Sequence, residues 1–262
     1  MSSWIAQLVR LEPDTCGGRV FRTSAAYGSG PRLFGGLIAA QALAAAGATV
    51  DPVRRPHSLH GYFVSGGRIG VDIEFTVELV RDGRSFTNRR VTVRQQDVTI
   101  FEMLASFHVP EPTTDWQPVD TPRLAIDDAT ELTGLPEVWA DHFETLVAPG
   151  SSMDWPMQPF WFRTRSAIED DALLRACALT FISDIGLVSA ARPPGPFVRP
   201  AGGAASLDHA IWFHREADPH RWHIYDAVAI SHNNARGLAR GSISDQDGTL
   251  VASVAQESLW RV

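Results

Sequence analysis

Two stretches of the sequence share one pattern: HSLHGYFV at residues 57–64 and SLDHAIWF at residues 206–213. Aligned without gaps, they lie 149 positions apart and both have histidine at their fourth position. A second pair begins at Asp97 and Asp247, each followed two residues later by threonine, and lies 150 positions apart. Two pairs at nearly the same offset indicate an internal repeat, so the chain is predicted to contain two similar halves.

The first half combines one helix with an antiparallel meander. The Ala- and Leu-rich segment 33–48 predicts a helix, because both residue types have high helix propensity. Apolar and polar residues alternate over 71–80, which predicts a half-buried strand, and the following Asp82-Gly83 pair predicts a hairpin turn. Strands are predicted at residues 57–64, 71–80, 89–96 and 99–108.

The second half repeats this order. Residues 170–188 are predicted to form a helix, and Asp247-Gly248 predicts a hairpin. Residues 109–160 contain eight prolines and little periodicity, so they are interpreted as a long connection with one short helix around Glu137–Leu146. The remaining predicted strands are residues 206–214, 222–230, 235–244 and 249–259.

The predicted fold class is therefore α+β, with two sheets that could join around two helices. The predicted division is an N-terminal half at 1–110, a connecting segment at 111–160 and a C-terminal half at 161–262.

Composition excludes several classes of chemistry. The chain has 262 residues and a net charge of −7, and all 23 basic residues are arginine. Without lysine there is no Schiff base, no pyridoxal phosphate anchor and no P-loop lysine. The acidic balance argues against nucleic acid and anionic membranes as partners.

Targeting signals are not recognised in the sequence. The first seven residues have no basic or apolar signal-peptide region, and the longest apolar stretch, 37–50, is too short to span a bilayer. A cytoplasmic protein with no membrane insertion is expected.

One carboxylate stands out once the common motifs have been excluded. The chain has no G-x-S-x-G and no H-E-x-x-H, and its nine histidines show no ligand spacing, so no metal is expected. Asp184 lies in the apolar run FISDIGL and, by helical spacing, shares a face with Cys177 and Phe181. A carboxylate there costs stability unless it is paired. Asp184 is either a structural residue held by a partner or a helix end, or a general base.

The chain also resembles the bacterial acyl-CoA thioesterase II family. The resemblance rests on six strings in the family's order: LFGG at 33–36, HSLHGYF at 57–63, RDGRSF at 81–86, SLDHAIWFH at 206–214, ARG at 235–237 and DGTLVASVAQE at 247–257. It implies a double-hotdog fold, in which each of two tandem halves wraps an antiparallel sheet around a central helix. It also implies hydrolysis of fatty acyl-CoA in fatty acid metabolism, without cofactor or metal, by a homo-oligomer (dimer or tetramer).

The family's water-holding residues map onto three positions. The resemblance assigns Asp184 as general base or water-orienting acceptor, with Ser206 and Gln256 fixing the water's other hydrogen bonds. Ser206 stands where the family has threonine, which keeps the hydroxyl, whereas Leu37 replaces a frequent glutamine. Backbone N–H groups of Gly35 and Gly36, at a helix start, are candidates for binding the oxyanion. Candidates for the CoA phosphates are Arg81, Arg84, Arg89 and Arg90.

Two other functions stay open on the sequence. One is a non-catalytic acyl-CoA binder or scaffold protein, against which the three polar positions argue. The other is a different hotdog enzyme such as an enoyl-CoA hydratase, against which the missing D-x-N-P-x-H signature argues.

Overall fold

The computed structural model describes residues 2–14, 17–24, 32–118, 124–132, 140–151, 159–193 and 203–261. By their internal contacts, these residues divide into two units that interleave along the chain. The first unit comprises Met1–Thr113, Glu169–Ile185 and Leu207–Phe213. The second unit comprises Thr114–Ile168, Gly186–Ser206 and His214–Val262. The predicted boundaries of the halves, near residues 110 and 160, stay a prediction.

The described elements comprise helices and antiparallel strands. The helices are α1 (Trp4–Leu8), α2 (Gly35–Gly47), α3 (Ala172–Ser183), α4 (Leu187–Ala190) and a 3₁₀ turn at Ile126–Asp128. The strands of the N-terminal part are β1 (Glu12–Pro13), β2 (Val20–Thr23), β3 (Arg55–Phe63), β4 (Ile73–Asp82), β5 (Phe86–Gln95) and β6 (Val98–His108). Those that follow are β7 (Thr130–Glu131), β8 (Phe143–Val147), β9 (Phe160–Thr164), β10 (Ala204–Ser206), β11 (Asp208–Phe213), β12 (His223–Asn233), β13 (Arg236–Asp245) and β14 (Leu250–Trp260).

The first unit is an antiparallel sheet that carries α2 and α3. Its strand order is β1-β2-β4-β5-β6-β3-β11. Helix α2 contacts β3 to β6 as well as α3, and all its residues from Gly36 to Ala46 are buried. Small alanine side chains let the sheet and the second helix approach α2 closely, and they keep its helix propensity high. Inward residues such as Phe75, Val91 and Phe101 complete the core.

The second unit is also an antiparallel sheet, in the order β14-β13-β12-β9-β8-β7, with β10 paired to β14. The short helix α4 packs on β10, β12, β13 and β14. A small cluster around Leu124, Trp161 and Ile224 lies under the segment that leads to β7. The indole N–H of Trp161 donates to the carbonyl of Leu124 at 3.0 Å, which satisfies the one polar group of that side chain.

All eight predicted strands are confirmed within three residues at either end, and the helix predicted at 33–48 is confirmed as α2. The helix predicted around Glu137–Leu146 is wrong where the structure describes it, because β8 occupies Phe143–Val147; residues 133–139 lie outside the described part. Phe143, Thr145 and Val147 alternate into the interior, as expected of a half-buried strand. Helix α1 and strands β1, β2 and β7 to β9 were not predicted.

The helix predicted at 170–188 is too long. Helix α3 ends at Ser183, and α4 begins only at Leu187. Gly186 between them has φ of +75°, in the left-handed region that interrupts a right-handed helix. Over the described residues, Ala172–Ala190 is the one stretch long and apolar enough to cross a membrane, although 56% of it is buried inside the protein, as in a core helix.

Candidate active site

Asp184 lies at the end of α3 and faces the start of α2. It is the residue that follows the last helical position, and it is 7% exposed. Its Oδ2 accepts a hydrogen bond from the backbone N–H of Gly36 at 2.8 Å. The prediction that this carboxylate sits among apolar residues is confirmed, and the cost of its burial is offset by a backbone donor.

The two glycines at the start of α2 make this approach sterically feasible. A Cβ at Gly35 would lie 2.8 Å from Oδ2 of Asp184 and 2.8 Å from the ring of Phe63. A Cβ at Gly36 would lie 2.4 Å from the carbonyl oxygen of Phe181, a backbone atom of α3. A larger residue at either position would therefore push α2 and α3 apart. The two glycines of the LFGG string allow the start of α2 and the end of α3 to lie this close.

The start of α2 favours a negative charge at this point. Its N-cap residue, Phe34, has no side-chain oxygen to accept from the first helical N–H groups. The Asp184 carboxylate supplies that acceptor from another part of the chain. The aligned peptide dipoles of the 13-residue helix add an effective positive charge at its N-terminus, which stabilises an acceptor oxygen placed there.

Aromatic rings pack against Phe181, which lies one helical turn before Asp184. The ring of Phe181 is fully buried and meets Trp4 edge to face at 5.2 Å and Phe34 at 5.1 Å between centroids. Helix α1 is in turn held by the Glu169 carboxylate, which accepts from the backbone N–H and the hydroxyl of Ser3. These bonds hold the pKa of Glu169 below its ordinary value.

Ser206 and Gln256 form a hydrogen-bonded pair in the second unit. Strand β10 pairs with β14 so that Ser206 lies opposite Ser258. Gln256 precedes Ser258 by two residues, and side chains two apart on a strand share one face. The fully buried Gln256 side chain therefore reaches diagonally to Ser206, and its Nε2 donates to Ser206 Oγ at 2.9 Å. The two residues that the resemblance assigned to one task are in direct contact.

The two candidate oxyanion donors, Gly35 and Gly36, differ in the structure. The N–H of Gly36 donates to Asp184, so it is engaged while that bond is intact. The N–H of Gly36 thus orients the carboxylate in the structure. As the first residue of α2, Gly35 carries an N–H that no intrahelical carbonyl can accept.

The four arginines proposed for CoA separate into two environments. Arg81, Arg84 and Arg90 are exposed, and Arg90 pairs with the equally exposed Glu78. Arg89 is 3% exposed, on the inward face of β5. The five guanidinium N–H groups of Arg89 donate to the carboxylate of Asp82, to the hydroxyl and carbonyl of Thr49 and to two other backbone carbonyls. Arg89 thus has no donor left for a phosphate.

A second buried polar contact, which the sequence did not predict, lies beside Asp184. Ser183 Oγ and His209 Nε2 are 2.8 Å apart, and both residues are buried. The histidine was visible in the repeated pattern as the position shared by both halves, but nothing in the sequence indicated its partner. Within the described ranges, no three His, Cys, Asp or Glu side chains come together as a metal-ligand group.

Comparison with known proteins defines first the fold and then the family. A hot dog fold protein of unknown function from Alicyclobacillus acidocaldarius matches with a TM-score of 0.78 at 18% identity, over 100% of this chain and 99% of that one. The acyl-CoA thioesterase II TesB2 of Mycobacterium marinum matches with a TM-score of 0.80 at 33% identity, over 98% of each chain. The fold class predicted from the sequence, a double hotdog, is confirmed.

Sequence relatives give the family. Residues 23–108 match the model of the acyl-CoA thioesterase N-terminal domain, and residues 142–259 match that of acyl-CoA thioesterase. Acyl-CoA thioesterase 2 of Haemophilus influenzae is 34% identical over 88% of this chain and 88% of its own. The chain belongs to the acyl-CoA thioesterase family, a family of thioester hydrolases, as the resemblance indicated.

Proposed function

We propose that this protein hydrolyses fatty acyl-CoA thioesters to the free acid and CoA. The observation that carries the proposal is the buried Asp184 carboxylate, oriented by the Gly36 N–H at the start of α2 in a chain of the acyl-CoA thioesterase family. A thioester carbonyl is electrophilic and its thiolate leaves easily, so a positioned water is a sufficient nucleophile. No cofactor or metal is part of the proposal.

The proposed reaction has two steps. Asp184 accepts a proton from water as the water oxygen bonds to the thioester carbonyl carbon, which gives a tetrahedral oxyanion. The oxyanion then collapses, the C–S bond breaks, and the CoA thiolate takes up the proton that Asp184 accepted, which restores the carboxylate. A general base of this kind contributes about 10²–10⁴-fold to the rate. The hydrogen bond from Gly36 fixes one carboxylate oxygen, which limits the orientations that Asp184 can adopt.

The Ser206–Gln256 pair is proposed to supply the water's other hydrogen bonds. The Ser206 hydroxyl accepts from Gln256 Nε2 at 2.9 Å, which holds its oxygen in place. A fixed hydroxyl orients water better than a rotating one, since the geometry is set before the reaction. The proposed hydrogen-bond donor to the oxyanion is the N–H of Gly35, because the N–H of Gly36 already donates to Asp184.

The CoA phosphates are proposed to meet exposed arginines of the β4–β5 hairpin. Arg81, Arg84 and Arg90 are retained, and Arg89 is left out because its donors are all used internally. The surface pair of Arg90 with Glu78 is worth about 0–1 kcal/mol, so a phosphate can displace the carboxylate. A cytoplasmic homo-oligomer (dimer or tetramer) without membrane insertion, acting on acyl-CoA and not on nucleic acid, completes the proposal.

The test is thiol release from a panel of acyl-CoA esters, from acetyl to stearoyl, by wild type and Asp184→Asn. The matched control is Asp171→Asn at the other end of the same helix, where the carboxylate caps the N–H groups of Leu173 and Leu174. Asparagine caps nearly as well as aspartate, so this control removes a charge from α3 and keeps its fold. We expect turnover to fall about 10²–10⁴-fold in Asp184→Asn and less than twofold in the control.

The shared task of Asp184, Ser206 and Gln256 is tested by combining variants. If the residues act on one water, Ser206→Ala in the Asp184→Asn background should cost much less than it does in wild type. Turnover near wild type in Asp184→Asn would overturn the site. A folded wild-type protein that binds acyl-CoA but releases no thiol would favour the non-catalytic binder. Loss of enoyl-CoA absorbance without thiol release would favour the hydratase.

A further inference from the structure

Ser183 and His209 form a buried hydrogen-bonded pair that the proposed reaction does not use. Ser183 Oγ donates to the carbonyl oxygen of Thr180 at 2.9 Å and lies 2.8 Å from His209 Nε2. A hydroxyl has one proton, and here Thr180 receives it. In that arrangement His209 Nε2 donates to Ser183 Oγ.

This pair closes the last turn of α3. The carbonyl of Thr180 is one of the final four of the helix, which have no partner within a regular α-helix. The Ser183 hydroxyl satisfies it, and His209 holds that hydroxyl in place. His209 lies on β11, opposite Gly61 of β3. This hydrogen bond thus attaches the helix end to the sheet of the first unit.

Asp184 follows Ser183 directly, so its backbone is held by this attachment on one side. Its carboxylate is held by the Gly36 N–H on the other. The two contacts connect the same turn to the sheet and to α2, and all the groups involved are buried. Release of either contact would leave the turn that carries Asp184 held at one point fewer.

We propose that the Ser183–His209 hydrogen bond is a positioning device that sets the place of the Asp184 carboxylate for attack on the thioester. The proposal rests on the function proposed above. Ser183 and His209 are positioning residues that act through Asp184, and neither touches the reacting atoms. Because displacement of a reacting group by about 1 Å can cost up to about 10²-fold in rate, loss of this bond should be visible in kcat.

The variant is Ser183→Ala, which removes the hydroxyl and leaves the chain otherwise unchanged. The matched control is Thr180→Val. Thr180 is equally buried in the same helix, and its hydroxyl donates only to the carbonyl of Ala176, one turn earlier. We expect kcat to fall about tenfold in Ser183→Ala, with KM within twofold of wild type, and to stay within threefold of wild type in Thr180→Val.

Two further variants separate positioning from loss of fold. His209→Gln keeps an N–H donor near the position of Nε2, so its kcat should lie closer to wild type than that of Ser183→Ala. In the Asp184→Asn background, Ser183→Ala should have almost no further effect, because the group that it positions is already inactive. Thermal unfolding of each variant reports on the fold independently of kcat.

The proposal is overturned if Ser183→Ala matches Thr180→Val in kcat, or if it lowers kcat by the same factor with and without the Asp184 carboxylate. Either result would make the pair purely structural. Unchanged turnover in Asp184→Asn alone is a different result, since it overturns the proposed function and is read from that single variant.

Discussion

The Gly36→Ala substitution tests whether the closeness of the two helix ends sets the rate. The new Cβ would lie 2.4 Å from the carbonyl oxygen of Phe181 and 2.5 Å from the ring of Phe34. The first of these atoms is backbone, so it cannot rotate away, and ordinary contact requires a separation about 1 Å greater. The added methyl must therefore displace the end of α3, or the start of α2, by about that distance.

The magnitude follows from two opposing effects. Alanine gains up to about 1 kcal/mol over glycine inside a helix, whereas overpacking a buried site costs about 1–3 kcal/mol. The net loss of about 0–2 kcal/mol should lower Tm by at most roughly 8 °C at this chain length. The displacement also lengthens the Gly36–Asp184 hydrogen bond, so we expect kcat for acyl-CoA hydrolysis to fall about 10²-fold.

Gly47→Ala is the matched control at the other end of α2. There the Cβ would lie 2.4, 2.6 and 3.1 Å from Cδ2, Cδ1 and Cγ of Leu173, but this side chain is only half-buried and can change rotamer. We expect kcat within twofold of wild type and a small change in Tm. The assay is thiol release together with thermal unfolding of both variants. Equal kcat in Gly36→Ala and Gly47→Ala would contradict this prediction, because it would show that the helix ends tolerate separation.

Two further predictions concern stability. Arg89→Met should lower the free energy of unfolding at neutral pH by about 2–3 kcal/mol, because buried carbonyls lose their donors. The hydrogen bond from Arg89 holds the pKa of Asp82 below its ordinary value of 3.8. The stabilisation from this hydrogen bond is complete above pH 3.8 and is lost as the pH falls through the lower pKa that Asp82 has in the folded protein. The difference in free energy of unfolding between wild type and Arg89→Met, measured with urea, should therefore shrink at acid pH. A difference that grew at acid pH would contradict this. His223 is 2% exposed, and burial lowers its pKa from 6.5. The unfolded chain therefore binds the proton first, and wild type should lose stability between pH 7 and pH 5. His223→Asn can still donate to the carbonyl of Arg221, as Nδ1 does, and its urea midpoint should depend less on pH over that range. Identical pH slopes would count against a buried neutral histidine.

The strands could be predicted because their physics is local. Apolar alternation and the two Asp-Gly turns place each predicted strand within three residues of its observed ends. The same alternation could have predicted that Arg89 is buried, because Arg89 shares its face of β5 with Val91 and Val93. Neighbouring prolines obscured the alternation of β8. The break after α3 depends on the left-handed backbone of Gly186, which helix propensity alone does not predict.

The sequence alone predicts the two-part α+β architecture, the family and the chemical identity of the polar residues, because these three features follow from local patterning and from motifs in a fixed order. It left open whether Asp184 is only structural or also a base; the structure places it at a helix end, with its carboxylate accepting from Gly36, and its role as a base stays a prediction. The folded structure was needed to show that Gln256 contacts Ser206, that Ser183 contacts His209, and that the Arg89 side chain is buried. These contacts join residues that are far apart in the chain, and strand register and packing bring them together, so the sequence alone does not reveal them.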